Sequence, residues 1–328
     1  MRGIRYARLL AGVFVGILLV SACAHRVPLP AVRTAQIPQQ VELSDTPFFP
    51  QERYQCGPAA LATVLNARGI SVVPDALVPQ VYLPARGGSL QVEMIAAARR
   101  QGLLAIPVQP SLEGLLVEVA AGRPVLVMQN LGLSWLPRWH YAVVIGYDLV
   151  RQELVLRSGT EARRVTPFGV FMNTWDRSKR WGFVVLPPDE LPPQMTPGPW
   201  LVAASALESL GQWPQAQAAY RAATLRWPDN PIAWFGLGNA AHALGDAPAA
   251  GQAFLQALRI QPDSAVAWNN LAHVLARRQC VPAARDAAQC ALRLAPDHPD
   301  IRRTADEMAR LPATGSTHCP ALPACPSR

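Results

Sequence analysis

Beyond its first 22 residues the sequence has no run that approaches the ~20 consecutive apolar residues a membrane span needs. Blocks of positive charge are also missing. The basic residues are nearly all arginine and lie scattered, without a stretch interleaved with aromatics, so nucleic acid is not an expected partner. There is no glycine-rich phosphate loop, and no His/Cys cluster has metal-ligand spacing, so no cofactor is expected. Between Asp45 and Pro188 the sequence holds a single cysteine, Cys56, and a single histidine, His140. Thiol–imidazole chemistry in that segment therefore has one pair of residues to draw on.

The chain opens with MRGIRYARLLAGVFVGILLVSACAH. Arg2, Arg5 and Arg8 precede an apolar stretch from Leu9 to Val20, and small residues then lead to a cysteine, the layout of a secretory signal over residues 1–22. The tetrad Val20-Ser21-Ala22-Cys23 resembles a bacterial lipobox, which implies cleavage before Cys23 and lipid on its thiol and new amino terminus. An ordinary signal peptide or an uncleaved anchor is the alternative. Acyl chains hold a protein on a membrane without a spanning helix. Ala24, where Asp would retain a lipoprotein at the inner membrane, resembles the outer-membrane sorting signal. The expected location is thus the bacterial outer membrane, with the protein lipid-anchored and facing the periplasm. Loss of three arginines with residues 1–22 takes the net charge from +8 to +5, a modest surplus.

Composition then divides the chain. Residues 23–45 are proline-punctuated and read as a tether, and a second proline-rich stretch over 189–199 reads as a linker between domains. After it, Trp200, Trp234 and Trp268 recur at a fixed interval of 34 residues, as do Ala216, Ala250 and Ala284. Further columns hold Tyr220, Phe254 and Ala288, and Pro228, Pro262 and Pro296. Small residues at these places let antiparallel helices approach, large ones fill the gap, and proline ends each pair. The period and the residue order resemble the tetratricopeptide repeat. That resemblance implies an all-α array over 200–311, with repeats at 200–233, 234–267 and 268–301 and a solvating cap helix, which offers a surface for a protein partner. Residues 312–328 read as a disordered tail. The pairing of Cys280, Cys290, Cys319 and Cys325 in an oxidising compartment is not readable from their spacing.

Residues 46–188 show helical patterns first (56–68, 89–101, 111–121) and short β-like runs after them, which is an α+β arrangement. Cys56 stands before Gly57-Pro58 at the start of a helix, where proline is favoured and free backbone N–H groups lower a thiol pKa. His140 is the one base available to it, and Gln51 is placed to donate into an oxyanion hole.

Gln51, then Cys-Gly-Pro-Ala-Ala opening a helix, then WHYAVVIGYD some eighty residues on, together resemble the papain-like cysteine peptidases that cut after double-glycine leaders in bacteriocin exporters. The resemblance implies Cys56 as nucleophile, His140 as general base and Gln51 as oxyanion donor. The family adds an Asp on the strand after the histidine strand. Asp148 lies about 26 Å along the same strand as His140, at about 3.3 Å per residue, and is out of reach. The return strand carries LRSGT, with Ser158 near the expected position, and Asn173 is a remote alternative. Trp135 and Trp139 flank the loop before His140 and line a groove or pack beneath that loop. Gly87-Gly88 reads as a loop rather than a cleavage site.

The expected function is a membrane-anchored cysteine peptidase that cleaves peptide or amide bonds, with acyl or isopeptide transfer as a variant outcome of the same thiol. The alternative is a catalytically inactive peptidase fold that binds peptide as a scaffold lipoprotein. For the anchor, Cys23→Ser is expected to abolish palmitate incorporation and to release the protein from the membrane fraction. A variant that keeps both would contradict lipidation.

Overall fold

The computed structural model describes residues 37–50, 55–312 and 319–327. The signal segment, Cys23, Gln51 and most of the tether lie outside the described residues. Contacts divide the chain into two units: the described residues through Met94 with Pro107–Val184, and Ile95–Ile106 with Val185 onward.

The first unit is organised on β6 (Trp139–Asp148), the longest strand of a seven-stranded sheet. Residues Tyr141 to Tyr147 are all buried, so both faces of this strand are covered and its sequence is a continuous apolar run rather than an alternating one. One edge of β6 pairs antiparallel with β5 (Val125–Asn130), and the other with β7 (Glu153–Ser158). β8 (Glu161–Pro167) adds to β7, and β9 (Gly182–Leu186) extends the β5 side, while β4 (Leu104–Pro107) falls almost wholly in the second unit. The helix α1 (Cys56–Asn66) packs on β6 and β5. Every residue from Gly57 to Leu65 is buried, as expected of a helix with no polar face.

Three parts of this unit differ from the expectation. Residues 37–45 are not all tether: β1 (Gln40–Glu42) pairs with the far end of β6, with Gln40 opposite Asp148. The Glu42 carboxylate takes two hydrogen bonds from Arg163, at 2.8 and 2.9 Å, and this contact first of all holds its pKa below the usual carboxylate range. A three-residue strand gives no periodicity to read, so composition alone hid it. Between the first two expected helices lie α2 (Pro74–Val81) and a small hairpin, β2 (Tyr82–Leu83) with β3 (Gly88–Ser89). Gly87 occupies its turn at a φ of 59°, in the left-handed region that glycine favours. α3 (Gln91–Arg100) and α4 (Leu112–Ala120) match expected helices, whereas β8 and α5 (Phe168–Asp176) were not anticipated. β8 is exposed along most of its length and reads EARRVTP, too polar to stand out as a strand.

The second unit contains three helical hairpins and a final helix. They are α6 (Pro197–Ser209) with α7 (Trp213–Arg226), α8 (Pro231–Ala243) with α9 (Ala247–Ile260), and α10 (Ala265–Arg277) with α11 (Val281–Leu294). α12 (Pro299–Arg310) closes the array, packed on α11 and α10. Starting residues 197, 231, 265 and 299 carry the sequence period into space. Asn230, Asp246 and Ser264 each cap a helix by accepting from first-turn backbone N–H groups. The tryptophan and proline columns meet across repeats: the indole N–H groups of Trp234 and Trp268 donate to the carbonyls of Pro228 and Pro262, at 2.7 and 2.8 Å. Glycine sets the closest approaches, since a Cβ at Gly236 would lie 2.3 Å from the Tyr220 ring and one at Gly238 2.6 Å from Phe254.

Residues 319–327, the part of the expected tail described beyond residue 312, depart from disorder. Cys280 pairs with Cys319 and Cys290 with Cys325, and Leu322 packs between these points on the core of the last repeat. Two covalent links over so short a segment remove most of its freedom, an effect that proline-rich composition could not announce.

Candidate active site

Cys56 begins α1, with Pro58 in the first turn fixing a helical φ beside it. It is the one free cysteine among the described residues. Its neighbour Gly57 is obligatory for packing, because a Cβ there would sit 2.3 Å from Ser89 Oγ. On β6, His140 stands opposite Gln129, at the end of the strand that leads out of the β5–β6 loop. Asn130, only 2 % exposed, shapes that loop. Its side-chain oxygen accepts from the backbone N–H groups of Gly132 and Arg138, at 2.9 and 2.8 Å. Its backbone carbonyl accepts two hydrogen bonds from the Arg177 guanidinium. The loop is thereby closed on itself immediately before His140.

Tyr141 ties the strand to the helix tip. Its phenol donates to the backbone carbonyl of Ser89, at 3.0 Å, and its backbone N–H pulls the Cys56 thiol pKa down. The peptide that follows the imidazole thus acts electrostatically on the thiol. On the opposite side, His140 Nε2 lies 2.8 Å from Ser158 Oγ. The register explains it. Val143 pairs with Arg157, so the next residue of β7 returns to the His140 face as a diagonal neighbour. Ser158 thus engages Nε2, and Nδ1 is the other ring nitrogen.

Cys56, His140 and Ser158 line one cleft of about 1340 Å³, together with Trp139 and the Gly87–Gly88 turn. Among the described residues no group of His, Cys, Asp or Glu is placed to hold a metal ion. The other sequence candidates stand elsewhere. Asp148 Oδ1 accepts from the backbone N–H groups of Val150 and Arg151, at 2.9 Å each, and so stabilises the β6–β7 turn. Asn173 is an exposed residue of α5 and is not part of the cleft wall. Trp135, 78 % exposed at the loop tip, does not line it either.

The electrostatics correct one expectation. Burial pushes the Cys56 thiol up from its ordinary value, against the downward pull of the Tyr141, Gly57 and Cys56 backbone N–H groups. His140 is pushed down to about 4, first by burial and then by the Arg164 and Arg138 charges. The helix tip alone does not make a thiolate, because no carboxylate among the described residues acts on the imidazole to favour imidazolium. Ser158 is neutral, and the described charges that act on the ring are positive. The resting pair is therefore thiol and neutral imidazole. Sequence reasoning had no means of finding Arg138 and Arg164 as site residues, since the hairpin register alone brings them to the histidine. Asn130 was equally hidden as one polar residue ending an apolar strand.

A sequence model of the Peptidase_C39 like family matches residues 43–182, and a tetratricopeptide repeat model matches residues 201–265. The chain thus carries a Peptidase_C39-like domain, α+β in fold, followed by tetratricopeptide repeats. A structure described as a C39-like peptidase from Bacillus anthracis is 20% identical with a TM-score of 0.41, covering 45% of this chain and 98% of that chain. The Sgt2 repeat domain from Aspergillus fumigatus is 18% identical with a TM-score of 0.33, covering 40% and 97% respectively. The Yersinia enterocolitica chaperone SycD, in complex with a peptide of the translocator YopD, is 14% identical with a TM-score of 0.32, covering 34% and 89%. A comparison with curated proteins finds no match.

The site's charge state predicts its thiol chemistry. A raised thiol pKa means that thiolate increases with pH, so the iodoacetamide rate at Cys56 is expected to keep climbing above the free-thiol value of about 8.5. A plateau on the acid side of neutrality would contradict a neutral resting pair. Ser158→Asp places a carboxylate on Nε2, which favours imidazolium. It is expected to raise the rate at neutral pH by about tenfold, one unit of thiol pKa.

Proposed function

We propose that the first unit is a cysteine peptidase in which Cys56 is the nucleophile and His140 the general base. The observation that carries this reading is the double engagement of one short strand segment. His140 Nε2 is held by Ser158, and the next residue, Tyr141, shares the cleft with Cys56 and draws the thiol pKa down through its N–H. In this mechanism the thiol proton passes to Nδ1 as sulfur attacks the scissile carbonyl, and the developing oxyanion is met by backbone N–H groups at the tip of α1. Collapse expels the amine, which takes the proton from the imidazolium and leaves an acyl-thioester on Cys56. Water, deprotonated by His140, then releases the acid and restores the thiol. Gln51 joins the oxyanion hole in this proposal.

The repeats serve as the surface for a protein partner, and lipid on Cys23 holds both units at the outer membrane facing the periplasm. The neutral Ser158 hydroxyl favours a second reading, in which the cleft binds peptide without turnover. A single experiment on the full chain separates them. A peptidyl acyloxymethyl ketone is expected to label Cys56 stoichiometrically, and an unstructured protein substrate is expected to be cleaved. His140→Ala is expected to abolish cleavage and slow labelling. Labelling at the rate of a free thiol, unaffected by His140→Ala and without cleavage, would leave a binding domain only.

A further inference from the structure

The wall of the Cys56 cleft is strongly one-sided in charge. Arg86, Arg138, Arg164, Arg177 and Lys179 line it, and Glu161 is the one carboxylate among the described residues that do so. The bias exceeds that of the chain, in which 30 basic residues stand against 22 acidic ones. Glu161 offsets Arg164 at 3.3 Å, and Arg177 is held on the Asn130 carbonyl but keeps its charge. Arg86, Arg138 and Lys179 have no such carboxylate partner in any ion pair of the described residues. Arg138 and Arg164 flank the imidazole closely enough for their charges to act on it.

Arginines on a surface are ordinary and, when exposed, weakly informative. Here their placement is what matters. They stand along the walls of a concave site around a nucleophile candidate, and they act on a base whose hydrogen-bond partner is a neutral hydroxyl. Such a wall favours a ligand that brings negative charge, and it repels basic peptides by several like-charge contacts. We infer that the cleft selects peptides carrying Asp or Glu side chains beside the scissile bond, with Arg138 and Arg164 as specificity-determining residues. This selection rests on the peptidase reading and names its substrate class. It also completes the site chemically: a substrate carboxylate set between Arg138 and Arg164 offsets the field that opposes imidazolium. The reaction is then favoured for acidic substrates over basic ones, and the charge lacking at Ser158 arrives with the peptide.

The test uses the full chain and fluorescein-labelled peptides of one backbone, whose two positions on either side of the centre are Glu, Gln or Lys. Binding is read by anisotropy on Cys56→Ala, so that affinity is separated from turnover. Glu peptides are expected to bind about tenfold tighter than Gln peptides at low ionic strength and Lys peptides weaker still, with the difference shrinking as salt is added. Arg138→Gln with Arg164→Gln is expected to remove the Glu advantage, and Arg164→Glu to shift preference toward Lys. Equal binding of Glu and Gln peptides, a preference that survives the double substitution, or no binding of any peptide would overturn the inference. So would displacement of Glu peptides by phosphatidylglycerol vesicles but not by free glutamate peptides, which would assign the charges to a membrane. With the native Cys56, cleavage lacking any charge preference sinks the selection alone, and acidic binding without cleavage sinks the peptidase reading alone.

Discussion

The hydrogen bond between His140 Nε2 and Ser158 Oγ is the contact on which the proposed chemistry turns. It engages Nε2 and so leaves Nδ1 for the proton transfer proposed from Cys56. Because the hydroxyl carries no charge, it does so without stabilising imidazolium. Burial and the flanking arginines then keep the imidazole neutral, and burial keeps the thiol protonated. Orientation is supplied by the fold, while charge is withheld. In the proposed reaction a bound peptide changes the local field and excludes solvent.

That contact is reached through backbone register rather than through a rigid side-chain network. The pairing of β6 with β7 presents Ser158, and the pairing of β6 with β5 delivers the loop closed by Asn130. Tyr141 fastens the same strand to the tip of α1 and to Ser89. These supporting links are made at the backbone or to a backbone group, whereas the His140–Ser158 contact itself is made side chain to side chain. The repeats follow a different logic. Their core is local, with each helix packed on its sequence neighbours, and two disulfides secure the end of the array where no further repeat stacks.

Most of the fold was legible in the sequence because its signals are local. The 34-residue recurrence of Trp, Ala and Pro became four helix starts at the same interval. Cys56 before Gly57-Pro58 became the first residue of a buried helix, and WHYAVVIGYD became the central strand. Ser158 was readable from strand pairing, since antiparallel return constrains position to within a residue or two. What remained hidden depends on partners distant in the chain. β1 has no pattern of its own and exists through pairing with the end of β6. The thiol pKa followed burial rather than helix position, and burial at a helix tip is set by what the strands place over it. Arg138 and Arg164 belong to a hairpin loop and to a polar strand, and neither segment marks them as neighbours of a histidine.

In the proposed mechanism His140 is a neutral base, oriented by Ser158 through Nε2 and taking the thiol proton on Nδ1. Nitrogen-15 NMR of the imidazole, assigned through loss of the signal in His140→Gln, tests it directly. The account predicts a neutral ring with the proton on Nε2, donated to Ser158, and titration near a pKa of about 4 in the absence of substrate. In Ser158→Ala the tautomer preference should weaken. A ring that titrates near its ordinary value of 6.5, or one that carries its proton on Nδ1 while Nε2 accepts from the serine hydroxyl, would contradict it.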